Sequence, residues 1–246
     1  MEFLALPIDE TDESWVSAWS QALDAEELAQ ADRFRRAADR TRYIAAHALL
    51  RTAISAATGR PPASLTLARG PYGKPFLPAT PALHFNLTHT AGLVAVALHT
   101  SPVGCDAEPA DRHMEEGVLS TMAAEERGWL RGLPPGAVRD RAFIRLWVIK
   151  EAFSKALGLG LSLDPSAYAF DCAGGEMNLC RAPAAHTRDI IWNFSATLFG
   201  LNHWVALAVQ GDPGSAGLPS PRHLSADVVA GAATGGLPLR LSALPG

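Results

Sequence analysis

The sequence predicts an α+β fold built from two similar halves. Three observations carry this expectation. A long helical segment is followed by apolar strands in the first half, and the same order returns in the second. The segment GLVAVAL at 92–98 and the segment HWVALAV at 203–209 each follow such a helix at a similar distance. Shared composition is the other explanation of that likeness. With 246 residues the chain has room for one large domain or two small ones with a real core. Its 48% hydrophobic and 19% charged content are globular values.

Residues 24–59 read as one helix. Asp24 caps it, Glu27 three residues on completes a capping box, and Gly59 before Pro61 and Pro62 stops it. A short strand is expected at 65–67, and the Gly- and Pro-punctuated stretch 70–75 is a loop. Residues 84–88 and 93–98 read as strands, the second fully apolar, and 103–108 as a further strand. In the second half a helix containing 143–157 ends near Gly158 and Gly160. Strands follow at 168–171, 190–198 and 203–209. From Gly211 onward Gly, Pro, Ser and Ala dominate and aromatics vanish, so 212–246 reads as a loosely attached tail. The resulting division is 1–102, 103–211 and the tail.

The net charge of −4 does not recommend nucleic acid or an anionic membrane as partner. Cys105, Cys172 and Cys180 form no zinc spacing and read as free thiols of a reducing compartment. The first 15 residues lack the basic and apolar regions of a signal peptide, and no apolar run reaches the ~18 residues of a membrane span. A cytoplasmic protein is therefore expected.

Two clusters carry chemistry. In an extended segment Asp106 and Glu108 project to one face, with Cys105 on the other. On the helix, Leu146, Ile149, Phe153 and Leu157 form an apolar stripe. Trp147, Glu151 and Lys155 form a second stripe roughly opposite, pointing away from the core. Three carboxylates with a lysine nearby suit a hard divalent cation such as Mg2+, or Mn2+, that also holds phosphate oxygens. Either cluster alone reads equally as solvated surface, since an i,i+4 charge pair is usually no more than that. On the anion side, Lys74 sits in a rigid turn and Thr88 and His89 close a strand. The arginines at 33, 35, 36, 40, 42 and 51 are mostly a solvated helix face.

With these pieces in order, the chain resembles the Sfp-type 4'-phosphopantetheinyl transferases over roughly residues 33–209. The resemblance rests on the helix from Arg33 and Phe34 to Arg51, then YGKP at 72–75, HFNLTH at 84–89, VGCDAE at 103–108 and WVIKEAFSK at 147–155. It implies a pseudo-dimer of two α+β halves, active as a monomer, with the active site in the cleft between them. The implied reaction transfers the phosphopantetheine arm of coenzyme A to a serine of an apo acyl or peptidyl carrier protein, releasing adenosine 3',5'-bisphosphate. Asp106, Glu108 and Glu151 then resemble the Mg2+ ligands. Glu151 is the candidate base and Lys155 touches the attacked phosphate. Arg42, Lys74, Thr88 and His89 hold the nucleotide end, and Trp147 packs in the cleft.

The chain departs from the family pattern where Glu27 and Gln30 take the places of lysines near the 3'-phosphate, with Arg33 or Arg36 as substitutes. It departs again where Thr88-His89-Thr90-Ala91 replaces S-H-S-G. Residues 115–133 match the carrier-docking region, where Val118, Leu119, Met122 and Trp129 either present an apolar patch or cover the second core. The competing functions are an idle relative that binds coenzyme A or a carrier protein, and an unrelated metal-dependent phosphohydrolase.

Overall fold

The computed structural model describes residues 1–173, 177–183, 190–211, 217–236 and 238–241. In chain order its elements are β1 (Glu2–Pro7), α1 (Val16–Ser20), α2 (Ala25–Ala31), α3 (Ala37–Thr58), β2 (Ala68–Arg69), β3 (Pro75–Phe76), β4 (His84–Thr90), β5 (Leu93–His99) and β6 (Val103–Pro109). They continue with α4 (Glu116–Ser120), α5 (Ala124–Gly132), α6 (Ala137–Leu157), β7 (Ala169–Asp171), β8 (Asn178–Arg181), β9 (Trp192–Phe199), β10 (His203–Gln210), β11 (Arg222–His223) and α7 (Ala226–Ala233). The mixed α+β class is as expected. The chain divides into two compact units. The first comprises residues 1–69, 75–100 and 219–246, and the second residues 70–74 and 101–218.

The first unit is a sheet of order β11-β1-β5-β4 packed on α3. Strand β5 pairs antiparallel with β1 and β4 and is apolar from Leu93 to Leu98, all of them buried, so it forms the centre of the sheet. Helix α3 lays Ile44, Ala48 and Leu49 into the same core. Its end at Gly59 is in the left-handed region (φ 72°), which a glycine enters without a Cβ penalty.

The expected single helix over 24–59 is two helices. The capping box of Asp24 and Glu27 opens α2, but the chain turns at 32–36 and Arg36 is extended before α3 begins. The break brings Phe34 against the Tyr43 ring at 5.3 Å, a contact that one continuous helix would not make. The loose-tail expectation also fails for the described residues beyond 216. Strand β11 pairs parallel with β1 (Leu4 with Arg222), and α7 places Val229, Ala230 and Ala233 in the first core. Alanine and valine are small and apolar, so a segment without aromatics still buries a face. Residues 212–216, 237 and 242–246 of that expected tail lie outside the described residues.

The second unit is a sheet of order β6-β10-β9 packed on α6, with the short hairpin β7–β8 beside it. Each unit thus follows one order: a first strand, a long helix, then a hairpin whose second strand pairs with the first strand. Helix α6 starts six residues before the expected core segment and is buried around most of its girth. The alternatives left open for 115–133 resolve toward the core. Leu119 and Met122 are fully buried, and Val118 and Trp129 pack against the same cluster.

Strand β6 and helix α6 meet at Gly104. A Cβ there would stand inside contact distance of the Ala152 carbonyl oxygen and the Ala156 amide nitrogen, and 2.9 Å from the Ala156 Cα. Backbone cannot yield as a flexible side chain does, so Gly104→Ala is expected to destabilise the protein by about 1–3 kcal/mol or more. Gly128, exposed in α5 with open space around it, is the control, and Gly128→Ala should add about 0.5–1 kcal/mol. Thermal unfolding followed by circular dichroism separates the two. Equal midpoints would show that β6 and α6 are not in backbone contact.

Candidate active site

The contact at Gly104 fixes which side chains meet. Residues 104, 106 and 108 share one face of β6, and Gly104 shows that this is the face α6 covers. Among the described residues strand β6 stands at the end of its sheet and pairs with β10. The helix stripe of Trp147, Glu151 and Lys155 lies beside Ala152 and Ala156 and runs along the acidic strand. It therefore does not point away from the core, as the helical wheel suggests. It flanks the buried stripe and faces β6, because Gly104 lets the two backbones approach.

Lys155 Nζ donates to Asp106 Oδ1 at 2.5 Å, and Arg112 Nη1 donates to Glu108 Oε1 at 2.6 Å. The Trp147 side chain opposes the upward shift of Glu108, and its ring stacks on Phe143 at 6.4 Å. Burial pushes Glu108 up, and the neighbouring Asp106 charge adds to this against Arg112 and Trp147. Glu151 is raised for the same reasons, burial first and then Asp106, with Lys155 opposing. Burial alone would lower Lys155, but the Asp106 carboxylate outweighs it and the net direction is up. Cys105, next to Asp106, is fully buried on the other face, as expected of a packing residue.

Asp106, Glu108 and Glu151 act on one another electrostatically, and their oxygen donors suit a hard cation. As the side chains stand, Lys155 and Arg112 serve as counter-ions to two of them. Among the described residues no three His, Cys, Asp or Glu side chains are grouped so as to hold a metal ion. The donor chemistry of Asp106, Glu108 and Glu151 fits a divalent cation.

Lys74 lies elsewhere in the second unit. Its Nζ donates to the carbonyls of Val103 (2.9 Å) and Ala156 (3.1 Å), so it ties the start of β6 to the last turn of α6. The ammonium expected at the nucleotide end is engaged here with two backbone carbonyls. In the first unit, Arg42 donates twice to Glu10, at 2.6 and 2.7 Å, and His89 acts on the same carboxylate. Thr88 is buried and His89 exposed, on opposite faces of β4, so only His89 joins Arg42. Glu27 and Gln30 line a cavity of about 390 Å³ with Arg33, Tyr43, His47 and Arg69.

Sequence reasoning missed Arg112, Glu126 and Lys150, and placed Arg51 on a solvated face although it is wholly buried. Arg51 donates to Glu27 at 2.5 Å and also pairs with Asp24. A glycine inside an apolar strand was the available signal for Gly104.

Burial pushes Lys74 down to about 8 from its ordinary 10.5. The unfolded chain keeps the ordinary value. Between about pH 8 and 10.5 the unfolded state therefore binds more protons, and the protein gains stability as pH rises through that window. A neutral amine still has two hydrogens for the two carbonyls. Denaturant titrations of wild type and Lys74→Met at about pH 7.5 and 10 should show wild type gaining on the variant at the higher pH. An unchanged difference would mean that Lys74 is not buried as described.

Comparisons with known proteins identify the family. The 4'-phosphopantetheinyl transferase superfamily profile matches residues 102–206, and the profile of the 4'-phosphopantetheinyl transferase N-terminal region matches residues 9–101. A 4'-phosphopantetheinyl transferase of Bacillus subtilis is 34% identical over 146 residues, 58% of this chain and 63% of its own length. A phosphopantetheinyl transferase of a Thraustochytrium species is 30% identical over 205 residues, 76% of this chain and 70% of its own length. The chain thus spans less than two thirds of the Bacillus relative. The solved holo-[acyl-carrier-protein] synthase of Thermotoga maritima superimposes with a TM-score of 0.36 at 22% identity, over 46% of this chain and 64% of its own. With two profiles end to end over residues 9–206 and the Thraustochytrium relative matched over most of both chains, the protein belongs to the 4'-phosphopantetheinyl transferase superfamily, in its Sfp-type branch.

Proposed function

We propose that the protein transfers the 4'-phosphopantetheine arm of coenzyme A to a serine of an apo acyl or peptidyl carrier protein. The observation that carries this reading is the alignment of Glu151 and Lys155 with Asp106 on β6, in a chain of this superfamily. The serine oxygen attacks the phosphorus that bears the pantetheine arm. The bond from that phosphorus to the bridging oxygen breaks, and adenosine 3',5'-bisphosphate leaves. Glu151 takes the serine proton. Its raised affinity for protons makes it a better base than a solvated carboxylate. Lys155 stabilises the charge on the attacked phosphate.

Asp106, Glu108 and Glu151 would hold Mg2+, or Mn2+, with Lys155 and Arg112 giving up part of their present pairing. A bound cation supplies positive charge to the pyrophosphate oxygens. Arg42 and His89 serve the nucleotide end, together with Arg33 and Arg69, which line the cavity of the first unit, whereas Lys74 is structural. A pseudo-dimer of the two units serving one site belongs to the same proposal. It is supported by the family resemblance and by the strand–helix–hairpin order that the units share.

The test is the intact mass of apo acyl and peptidyl carrier proteins after incubation with this protein, coenzyme A and Mg2+, beside an EDTA control. A gain of one phosphopantetheine, absent in a carrier Ser→Ala variant and in EDTA, is expected. Glu151→Gln should reduce the rate by at least about 100-fold while leaving the unfolding midpoint near wild type. Wild-type rate in that variant would remove Glu151 from the mechanism. A folded protein that binds coenzyme A but modifies neither carrier would favour an idle relative.

A further inference from the structure

The second unit holds a buried ion pair that the transfer reaction does not use. The side chains of Lys150 and Glu126 are 1% and 0% exposed. Lys150 Nζ donates to both Glu126 oxygens (2.8 and 2.7 Å) and to the Tyr168 carbonyl (3.0 Å), and it lies 4.1 Å from the Tyr168 ring centroid. Glu126 also accepts from the backbone N–H groups of Ala123 and Phe170. Tyr168 Oη donates back to the Lys150 carbonyl at 3.1 Å. All three ammonium hydrogens and both carboxylate oxygens are therefore engaged, which offsets part of the cost of burying charge, although burial still lowers the Lys150 pKa.

The same construction stands in the first unit. Glu27 occupies the third position of α2 and Glu126 the third position of α5, each accepting from the N-cap backbone of its short helix. Each pairs with a fully buried cation of the following long helix, Arg51 or Lys150, and both pairs are 24 residues apart in sequence. Gly59 and Gly158 end those helices in the left-handed region at the same remove from each cation. The counterpart of Glu151 in the first unit is Thr52, which is buried and whose hydroxyl bonds to the carbonyls of Ala48 and Leu49 in its own helix. The pair is therefore a means of fixing a long helix against its capping helix, and only in the second unit does a reactive side chain occupy the next position.

We propose that the Glu126–Lys150 pair is the positioning device of the site: it fixes the rotation of α6 about its axis and so aligns Trp147, Glu151 and Lys155 with the acidic face of β6. Successive helix residues differ by about 100°, so holding Lys150 on one side sets the direction of Glu151 beside it. The consequence for turnover rests on the transfer reading, whereas the alignment itself does not.

The test replaces the pair by the neutral, similarly shaped Lys150→Met with Glu126→Gln, whose single carbonyl oxygen still accepts from one of the two N–H groups, Ala123 or Phe170. Exchanging a whole buried pair is far milder than removing one partner, so this variant is expected to fold. The first readout is the Trp147 indole N–H resonance in a 15N spectrum, assigned with Trp147→Phe, because that side chain acts on Glu108 from the stripe of α6 being aligned. In the double variant it should shift or broaden. In Lys150→Arg, which installs the cation found in the first unit, it should stay near its wild-type position. The second readout is kinetic: kcat down at least tenfold with KM for coenzyme A within about twofold, and most of kcat restored in Lys150→Arg. An unmoved indole resonance overturns the proposal whatever the activity. So does a kcat that falls only as far as the folded fraction does. A shifted resonance in a protein whose wild type modifies no carrier would uphold the positioning and refute the transfer reading.

Discussion

The missing side chain at Gly104 sets the separation of β6 and α6, and the arrangement around it follows from that separation. With a Cβ present the helix would have to withdraw from the strand by enough to clear three backbone atoms. Ala152 and Ala156, one turn apart on α6, are small enough to match the gap. The neighbouring stripe of Trp147, Glu151 and Lys155 is consequently carried up to Asp106 and Glu108 rather than held a side chain's length away. Lys74 reinforces the same junction by bonding one carbonyl on each element. The local packing of the second unit and the chemistry of its acidic face have a single geometric origin.

Charge in this protein is handled in two distinct ways. The Glu126–Lys150 pair and the Arg51 cluster are closed systems, in which every nitrogen of the cation has an acceptor and the cation itself is fully buried. The group on β6 and α6 is open. Three acids share two principal cations, and the two glutamates bind protons more readily than solvated carboxylates do. An imbalance of that kind is poor for stability and useful for chemistry, since a group that holds a proton more readily also takes one more readily.

What could be read from the sequence was what depends on neighbours along the chain. The capping box at Asp24 and Glu27 and the stops at Gly59 and Gly158 are local motifs. So is the shared face of Asp106 and Glu108, which follows from strand periodicity. What could not be read depends on the far side of the fold. No periodicity distinguishes Arg51, wholly buried, from Arg35, exposed, until Asp24 and Glu27 are known to stand against α3. The break at 32–36 contains neither Gly nor Pro and is selected by the Phe34–Tyr43 contact. The wheel of α6 misjudged the acidic stripe because a wheel records directions and not distances. For the segment after residue 216, low complexity concealed a helix that owes its order to the core beneath it rather than to its own propensity.

The pairing of β11 with β1 has a consequence for synthesis. The second unit is, apart from five residues, one uninterrupted stretch, whereas the first is assembled from pieces on both sides of it. As the chain leaves the ribosome, every strand and helix of the second unit is available before β11 and α7 have been made. The first unit must then keep the edge of β1 and part of the α3 face uncovered while more than a hundred further residues are added (~10 s at ordinary translation rates). An unpaired strand edge is an invitation to mispairing with other chains. The order of domain completion therefore runs opposite to the order of translation, and the interval before β11 arrives is the time at which the nascent protein is most exposed to aggregation.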